Sequence, residues 1–204
     1  MSTGGTTGVP IDSGELSLST LTKEIILDRV NQITRREETS IDTLLYAVLT
    51  DITERTLCLK TQTGGTLSAG DASVSKPDDM APGAVFSLVV DGDDLPPLTW
   101  HEYINQTRRG YIDRQNTLAF YPAVNADTTY TLYYARLHPA DMDHILLPDR
   151  FTSAIVYGTA SKLYENYELN EHADRMRIRY ELELRRLAGY EHTAPTVRPL
   201  PMRL

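Results

Sequence analysis

The segment YPAVNADTTYTLYYARLHPADMDHILL, residues 121–147, separates two kinds of sequence in this chain. It starts at the end of a predicted strand, at Tyr121 and Pro122, and continues with a polar turn at 123–127. The β-branched and aromatic residues that follow at 129–137 predict a long strand. The residues before the segment, from about Leu57, predict short strands, and a helical period begins after it, near Pro148. We therefore expect a β module that is inserted into a helical frame.

Upstream of the β module, the sequence predicts two amphipathic helices. The first covers about residues 22–36, where Ile26, Val30 and Ile33 recur at i, i+4 and i+7 on one helical face. A Thr-Ser pair at 39–40 is a typical N-cap for the second helix. The apolar face of that helix contains Ile41, Leu44, Leu45, Val48, Leu49 and Ile52. Because only about four residues join the two helices, we expect them to pack as a hairpin.

Within the module, short β-forming pieces alternate with turn residues. The predicted strands are residues 73–76, 84–90, 98–103, 110–114, 117–121 and 129–137. Turns are predicted at Thr-Gly-Gly-Thr 63–66 and at Asp-Gly 91–92, the second of which is a strong hairpin signal. Because no stretch of the module has helical length, we expect a small antiparallel sandwich or barrel.

Two further helices are predicted after the β module. Pro148 suits the first turn of the third helix, because its missing N–H would be unpaired there anyway. The apolar stripe of this helix contains Val156, Ala160, Leu163 and Tyr167. Gly158 would let another helix approach closely. Asn170 is the expected N-cap of the fourth helix, and Gly189 is the residue expected to end it. The apolar seam of the fourth helix contains Ala173, Met176, Tyr180, Leu184 and Leu187.

The two chain ends differ in composition from the rest. Residues 1–20 are rich in Gly, Thr and Ser, so we expect a flexible N-terminal extension. Residues 190–204 contain Pro195, Pro199 and Pro201, which favour an extended conformation, together with apolar side chains that a solubilising tail would not need. We interpret this segment as an arm that docks on a partner; the alternative is a frayed terminus.

Together these expectations define an α+β fold with an extended C-terminal arm. The four-helix bundle comprises residues 21–57 and 146–189, and the small antiparallel β domain inserted into it comprises residues 58–145. With 204 residues, 41% of them hydrophobic and 24% charged, the composition is that of a globular protein of one or two domains. A single cysteine, Cys58, excludes an intrachain disulfide.

Acidic residues are unevenly distributed along the chain, whose net charge is -8. Residues 1–150 hold 12 Lys+Arg and 21 Asp+Glu, a balance of -9, whereas residues 151–204 hold 8 and 7, a balance of +1. Tight nucleic-acid binding needs clustered Lys and Arg, so an acidic body is more compatible with letting DNA pass without sticking. No apolar run approaches the roughly 18 residues of a membrane span, and the N-terminus lacks the order of a signal peptide. We expect a soluble intracellular protein that does not contact membranes.

Three polar clusters are candidates for chemistry, and each is better explained structurally. The first contains His138, Asp141, Asp143 and His144. It matches no zinc signature and is expected to be a solvated acidic turn. The 91–94 loop lacks the alternating ligands of a calcium-binding loop. On the predicted strand, the adjacent His101 and Glu102 would point to opposite faces and would not cooperate as an acid/base pair. We expect no catalytic residues, no metal site and no cofactor.

Several local segments occur in an order that is typical of one protein family. They are the amphipathic pair at 22–57, the turn KPDDM at 76–80, LAFYPA at 118–123, the strand at 130–134 with His-Pro at 138–139, and LPDRF at 147–151. In this order and spacing the chain resembles the head-to-tail adaptor (connector) proteins of tailed bacteriophages, from about Leu21 to Leu187. The resemblance implies a helical bundle with an inserted β domain, assembled into a ring of about twelve copies, with the C-terminal arm reaching the portal.

This resemblance implies a non-enzymatic structural protein of the virion, assembled in the host cytoplasm and located at the head–tail junction. The expected partners are further copies of the chain, the portal protein and the next tail component, such as a nozzle, tail tube or completion protein. DNA would pass through the channel of the ring without sequence-specific binding, and no membrane would be involved.

Three sets of residues are predicted to make these contacts. The portal-docking arm contains Pro195, Val197, Arg198, Pro199, Leu200, Pro201, Met202, Arg203 and Leu204. The subunit-interface candidates in the helical bundle are Tyr157, Tyr164, Arg175, Arg179 and Arg186. The acidic loops predicted to face the channel or the tail contain Asp78, Asp79, Asp91, Asp93 and Asp94.

Two alternative functions remain open from the sequence. One is a tail-completion or tail-terminator ring, which would do similar mechanical work with other partners. The other is a carbohydrate- or peptide-binding β module on a helical support, with Trp100 and Tyr103 as a stacking platform. The twelve tyrosines, against three phenylalanines, favour interfaces, although Tyr130, Tyr133 and Tyr134 are equally well explained as good strand formers.

Overall fold

The computed structural model describes residues 21–193, and it describes side chains as far as residue 188. The predicted N-terminal extension, 1–20, and the predicted docking residues of the arm, from Pro195 onward, lie outside the described residues. Within them the chain combines helices with antiparallel sheets, so the predicted α+β class is confirmed.

Five helices and seven strands make up the described part of the chain. The helices are α1 (Lys23–Thr34), α2 (Asp42–Thr56), α3 (Trp100–Ile104), α4 (Thr152–Asn166) and α5 (Asn170–Thr193). The strands are β1 (Lys60–Leu67), β2 (Ser73–Ser75), β3 (Met80–Val90), β4 (Asp93–Leu95), β5 (Gly110–Asp113), β6 (Thr117–Tyr121) and β7 (Thr128–Arg136). A short 3-10 turn, Asp149–Phe151, precedes α4. We call α1, α2, α4 and α5 the helical frame and residues 58–145 the β domain.

One hydrophobic core is shared by the four helices of the frame. The fully buried side chains at its centre include Ile26, Val30, Leu45, Leu49, Ile52, Phe151 and Ile155. Of the predicted stripe on α1, Ile26 and Val30 are buried, whereas Ile33 is 38% exposed and Thr34 takes its place. The buried face of α5 matches the predicted seam at Ala173, Tyr180, Leu184 and Leu187.

The central helix of the frame is α4. Helices α1, α2 and α5 each pack against it, while α1 and α2 contact each other little, so the predicted hairpin of α1 on α2 is wrong. The close approach predicted at Gly158 is confirmed. A Cβ atom there would lie 2.8 Å from Val48 Cγ1 on α2 and 3.1 Å from the Tyr180 ring on α5. A glycine is therefore required where three helices meet.

The boundaries of α2 and α5 also differ from expectation. The N-cap position of α2, which begins at Asp42, is occupied by the buried Ile41 rather than by Thr39 or Ser40, although the Ser40 hydroxyl accepts from the Asp42 N–H at 3.5 Å. Asn170 is the first residue of α5 rather than the residue before it. The helix also continues through Gly189 to Thr193, because glycine weakens a helix by only about 1 kcal/mol and does not have to end it. Residues 190–193, predicted as the start of the extended arm, are therefore helical.

The β domain is a sandwich of two antiparallel sheets, as predicted. The sheet orders are β1-β7-β3-β4 and β2-β6-β5. Between the sheets lies a second hydrophobic core. Its most deeply buried side chains include Leu88, Leu118, Phe120 and Leu132. The Asp-Gly turn at 91–92 has positive φ at both residues (55° and 78°), and it joins β3 to β4 as a tight hairpin.

Two predictions for the β domain are wrong. Gly64 and Gly65 do not form a turn but lie in the middle of β1, where a Cβ at Gly65 would lie 3.0 Å from the Tyr130 ring on β7. Residues 98–103 are not a strand, because a capping box at Thr99 starts the short helix α3. The Glu102 N–H donates to Thr99 Oγ1 at 3.3 Å, and the Thr99 N–H donates to Glu102 Oε2 at 2.8 Å.

The junction between frame and β domain is built around His138, two residues after the end of β7. This side chain is only 2% exposed. Its backbone N–H donates to Thr53 Oγ1 of α2 at 3.2 Å, and its ring Nε2 accepts from the Leu146 N–H at 3.0 Å. Because Nδ1 lies 2.8 Å from the Pro139 carbonyl, the ring is the neutral tautomer with the proton on Nδ1. Burial lowers the pKa of His138, which favours this neutral form.

Candidate functional site

The predicted subunit-interface residues lie mainly around one uncovered face of α5. Ile178 and Leu182 are 62% and 59% exposed and are one helical turn apart, opposite the buried side of the helix. Arg175, Arg179 and Arg186 lie along the same exposed side of α5. We call these five residues the outer face of α5. The sequence pattern identified its arginines but not the two exposed apolar side chains between them.

Of the two tyrosines in that prediction, one lies beside the outer face of α5 and one does not. Tyr157 on α4 is partly buried, and the Arg179 guanidinium lies 5.7 Å from the centre of its ring. Tyr164 is 7% exposed, and its ring packs on His172 with 5.2 Å between centroids. In this chain Tyr164 therefore contributes to the packing of α4 on α5.

A pair of polar contacts fixes α5 against α2. The Arg55 guanidinium donates to both carboxylate oxygens of Glu181, at 2.8 and 2.7 Å, and lowers the pKa of Glu181. The Tyr180 hydroxyl donates to Asp51, and burial together with this bond raises the pKa of Tyr180. With one side of α5 fixed in this way, its outer face is presented in a defined orientation.

The predicted acidic loops lie at opposite ends of strand β3. Asp78 and Asp79 precede its first residue, and Asp91, Asp93 and Asp94 follow its last. An eleven-residue strand spans roughly 35 Å at about 3.3 Å per residue, so the two loops lie far apart in the β domain.

The turn at 78–79 is the one near the frame. The Asp79 carbonyl accepts from the Leu137 N–H at 2.8 Å, next to the His138 junction. Alanines of β3 and β7 (Ala81, Ala84 and Ala135) also pack there beside Leu57. The hairpin at 91–94 is therefore the distal end of the β domain.

Most of these carboxylates have partners inside the β domain. Asp79 accepts from the Tyr134 hydroxyl at 3.0 Å, and burial and this bond raise the pKa of Tyr134 to about 12. In the distal hairpin, Thr128 Oγ1 donates to Asp91 at 2.8 Å and Ser87 Oγ donates to Asp94 at 2.6 Å. Asp93 forms an ion pair with Arg109. Each of these four carboxylates therefore helps to order a turn.

An aromatic platform forms the surface of α3. Trp100 and Tyr103 are stacked with 6.3 Å between ring centroids, and the Arg114 guanidinium lies 5.2 Å from the Tyr103 ring. Trp100 is 58% exposed and Ile104 is 56% exposed. On the predicted strand, Trp100 and Tyr103 would have pointed to opposite faces, whereas three residues apart on a helix they share one face.

The other polar candidates have structural roles. Glu102 caps α3, and Arg108 lies 2.9 Å from its carboxylate; the cap bonds, followed by this arginine, lower the pKa of Glu102 to about 2. Both ring nitrogens of His138 are engaged inside the chain, so neither is available to a metal. Within residues 21–193, no helix combines the length and the apolar character that crossing a bilayer requires.

Comparison with known proteins gives one family. A family model described as SU10 adaptor protein matches residues 17–201. The match includes the helical frame, the whole β domain and most of the predicted arm. No curated protein matches the chain.

Proposed function

Because the chain belongs to the SU10 adaptor protein family, we propose that it forms a ring between the portal and the tail of a phage particle. Membership of this family makes it a structural adaptor of the virion and confirms the resemblance to head-to-tail adaptors. The ring, its copy number of about twelve and its location below the portal are our proposal. The role is structural rather than catalytic.

The observation that carries this proposal is the outer face of α5. Two apolar side chains that are about 60% exposed and are flanked by arginines, on a helix that Arg55–Glu181 holds against α2, make a surface suited to another protein. In a four-helix bundle this face would supply lateral contacts. The distal hairpin of the β domain, with Asp91, Asp93 and Asp94, would face the next tail component.

Passage of DNA through the ring is compatible with the charge of the β domain. Residues 58–145 hold 6 Lys+Arg and 11 Asp+Glu, a balance of -5. Such a surface repels phosphates, so DNA would not be retained on it. The turn at 78–79 lies near the frame, whereas the distal hairpin lies at the opposite end of β3.

The arm is proposed to bind the portal. The family match extends to residue 201, and residues 195–204 combine three prolines with Val197, Leu200, Met202 and Leu204. In a ring the arms would act together, so a weak contact per copy would give strong attachment.

This proposal is tested by mixing the full-length chain with purified portal protein. The variant lacks residues 194–204, which leaves α5 complete, and the matched control lacks residues 2–16, which precede the family match. We expect the first deletion to abolish co-sedimentation with the portal and the second to leave it unchanged. Negative-stain images of the wild-type mixture should show rings stacked on portals. Portal binding without the arm would exclude its docking role, and particles that never exceed a single copy would exclude the ring.

A second function, ligand binding by the β domain, is favoured by the platform of Trp100 and Tyr103. Stacked, exposed aromatic side chains beside an arginine suit a sugar ring or an extended peptide. A panel of glycans and peptides should detect binding that is lost in Trp100→Ala and kept in Tyr46→Ala, which removes an exposed aromatic side chain from α2. Absence of binding in the wild-type chain would remove this candidate.

A further inference from the structure

The helical frame has a second uncovered apolar face, on α1. Ile25 and Ile33 are 39% and 38% exposed and lie in one i, i+4, i+8 row with Arg29. On α5, Ile178 and Leu182 belong to a similar row. Side chains in such rows form the ridges that fit into the grooves of a neighbouring helix.

These two faces lie on different flanks of the frame. Both α1 and α5 pack against α4, but α1 and α5 do not pack against each other. Helix α4 therefore separates them, and the two faces of one copy cannot cover each other. A contact between them needs two copies, and each copy then keeps one face available for the next.

The charges around the two faces are complementary. Among the exposed charged residues of α5 at 171–186, five arginines outnumber two acidic residues; they are Arg175, Arg177, Arg179, Arg185, Arg186, Glu171 and Asp174. Around Ile25, the exposed charges are those of Glu24, Asp28 and Arg29, a balance of -1, whereas the exposed Arg35 and Glu37 at the Ile33 end cancel each other. Pairing two α5 faces would bring arginines together, whereas pairing α5 with α1 brings arginines to carboxylates.

We infer that the outer face of α5 packs on the exposed face of α1 in the next copy of the chain. This inference rests on the proposed ring and names the surfaces that build it. The contact is heterologous, because a different surface of each copy is used, and repetition of such a contact about an axis closes a ring. The arginines of α5 would meet Glu24 and Asp28 at the edge of an apolar centre made by Ile178, Leu182 and Ile25.

Cysteine cross-linking of the full-length chain tests the pairing. In a Cys58→Ala background, whose fold is checked by circular dichroism, two single variants are made: Ile178→Cys and Ile25→Cys. Each variant by itself, and an equal mixture of the two, is treated with a short bismaleimide. The concentration is one at which the chain assembles, alone or on the portal. We expect covalent dimers only in the mixture, and a ladder of higher oligomers in the double variant. Tyr46→Cys mixed with Ile178→Cys is the matched control and should give no dimer, since Tyr46 lies on α2.

The outcomes separate this inference from the proposed function. Dimers of Ile178→Cys alone would show a symmetric contact and would overturn it. If negative stain shows rings but the mixture gives no cross-links, the pairing of α5 with α1 is wrong and the proposed ring still holds. Failure of the wild-type chain to assemble under any condition would overturn the ring and the pairing together.

Charge exchange gives a second test. Arg175→Glu with Arg179→Glu should weaken self-association roughly tenfold or more, because like charges then face each other. Adding Glu24→Lys and Asp28→Lys to the same chain should restore association close to the wild-type level. Self-association of the wild-type chain, the arginine double variant and the fourfold variant is measured by sedimentation velocity at low salt. If the fourfold variant stays as weak as the arginine double variant, the two faces do not meet.

Discussion

Gly158 offers a quantitative test of the three-helix contact at the centre of the frame. Replacement by alanine adds one methyl group at 2.8 Å from Val48 Cγ1 and 3.1 Å from the Tyr180 ring. Alanine is a better helix former than glycine by about 1 kcal/mol, which favours the variant. Overpacking of a buried site costs about 1–3 kcal/mol, and Tyr180 cannot retreat freely because its hydroxyl is bonded to Asp51. We expect Gly158→Ala to lower the free energy of unfolding by about 1 kcal/mol.

The size of the packing penalty can be isolated with a double-mutant cycle. Val48→Ala removes the methyl group that the new Cβ meets, and by itself it should cost about 2 kcal/mol as a cavity in a site that is 1% exposed. In that background Gly158→Ala should become neutral or stabilising by about 1 kcal/mol, so the coupling energy should be about 1–2 kcal/mol.

Urea unfolding followed by circular dichroism measures the free energy of unfolding of the wild-type chain, the two single variants and the double variant. Ala47→Gly, on the exposed side of α2, reports the helix-propensity effect alone. If Gly158→Ala stabilises the wild-type chain, or if its cost is unchanged beside Val48→Ala, then helix packing is not what requires glycine here.

Three further predictions concern the junction and the β domain. Because the pKa of His138 is lowered below 6.5 in the folded state, the unfolded chain binds more protons as the pH falls from about 6.5, so stability should decrease between pH 7 and pH 5. This decrease should be smaller in His138→Gln but unchanged in His101→Gln when urea midpoints are compared; equal slopes in all three proteins would contradict it. Gly110→Ala should cost about 1–3 kcal/mol in urea unfolding, since a Cβ would lie 2.4 Å from the Pro96 carbonyl oxygen. Gly83→Ala, which meets open space but has φ of 67°, should cost about 1 kcal/mol, and a larger loss there than at Gly110 would be inconsistent with this geometry. Thr99→Ala removes the capping box of α3, worth about 0.5–2 kcal/mol locally, and should red-shift and quench the fluorescence of Trp100, the single tryptophan, without moving the global midpoint by more than about 1 kcal/mol. An unchanged emission spectrum would mean that the cap does not hold α3.

Much of the fold was predictable because burial leaves a period in the sequence. The 3.6-residue spacing located α1, α2, α4 and α5, and strand β6 was predicted at its exact bounds, 117–121. The errors come from residues whose local preference is ambiguous. Glycines at 64–65 are as suitable for a turn as for a strand that passes close to Tyr130, and only the pairing of β1 with β7 decides between them.

The candidate surfaces were less predictable for a related reason. An exposed arginine on α5 is expected on any solvent-facing helix, so Arg175, Arg179 and Arg186 carried little information by themselves. Their meaning comes from Ile178 and Leu182, which remain uncovered because α4 and α2 pack on the other side of α5. No local sequence pattern predicts on which side of a helix the neighbouring helices will pack.

The amino-acid sequence by itself determined the division into helical and β segments, the α+β class and the family resemblance, because periodicity and local motifs are properties of neighbouring residues. The tertiary structure decided that α4 lies at the centre and that His138 is a buried hydrogen-bonding residue rather than part of a solvated turn. It also decided that the two acidic loops lie at opposite ends of β3. These features depend on contacts between residues far apart in the chain, such as Thr53 with His138, and such contacts form only when the frame and the β domain pack together.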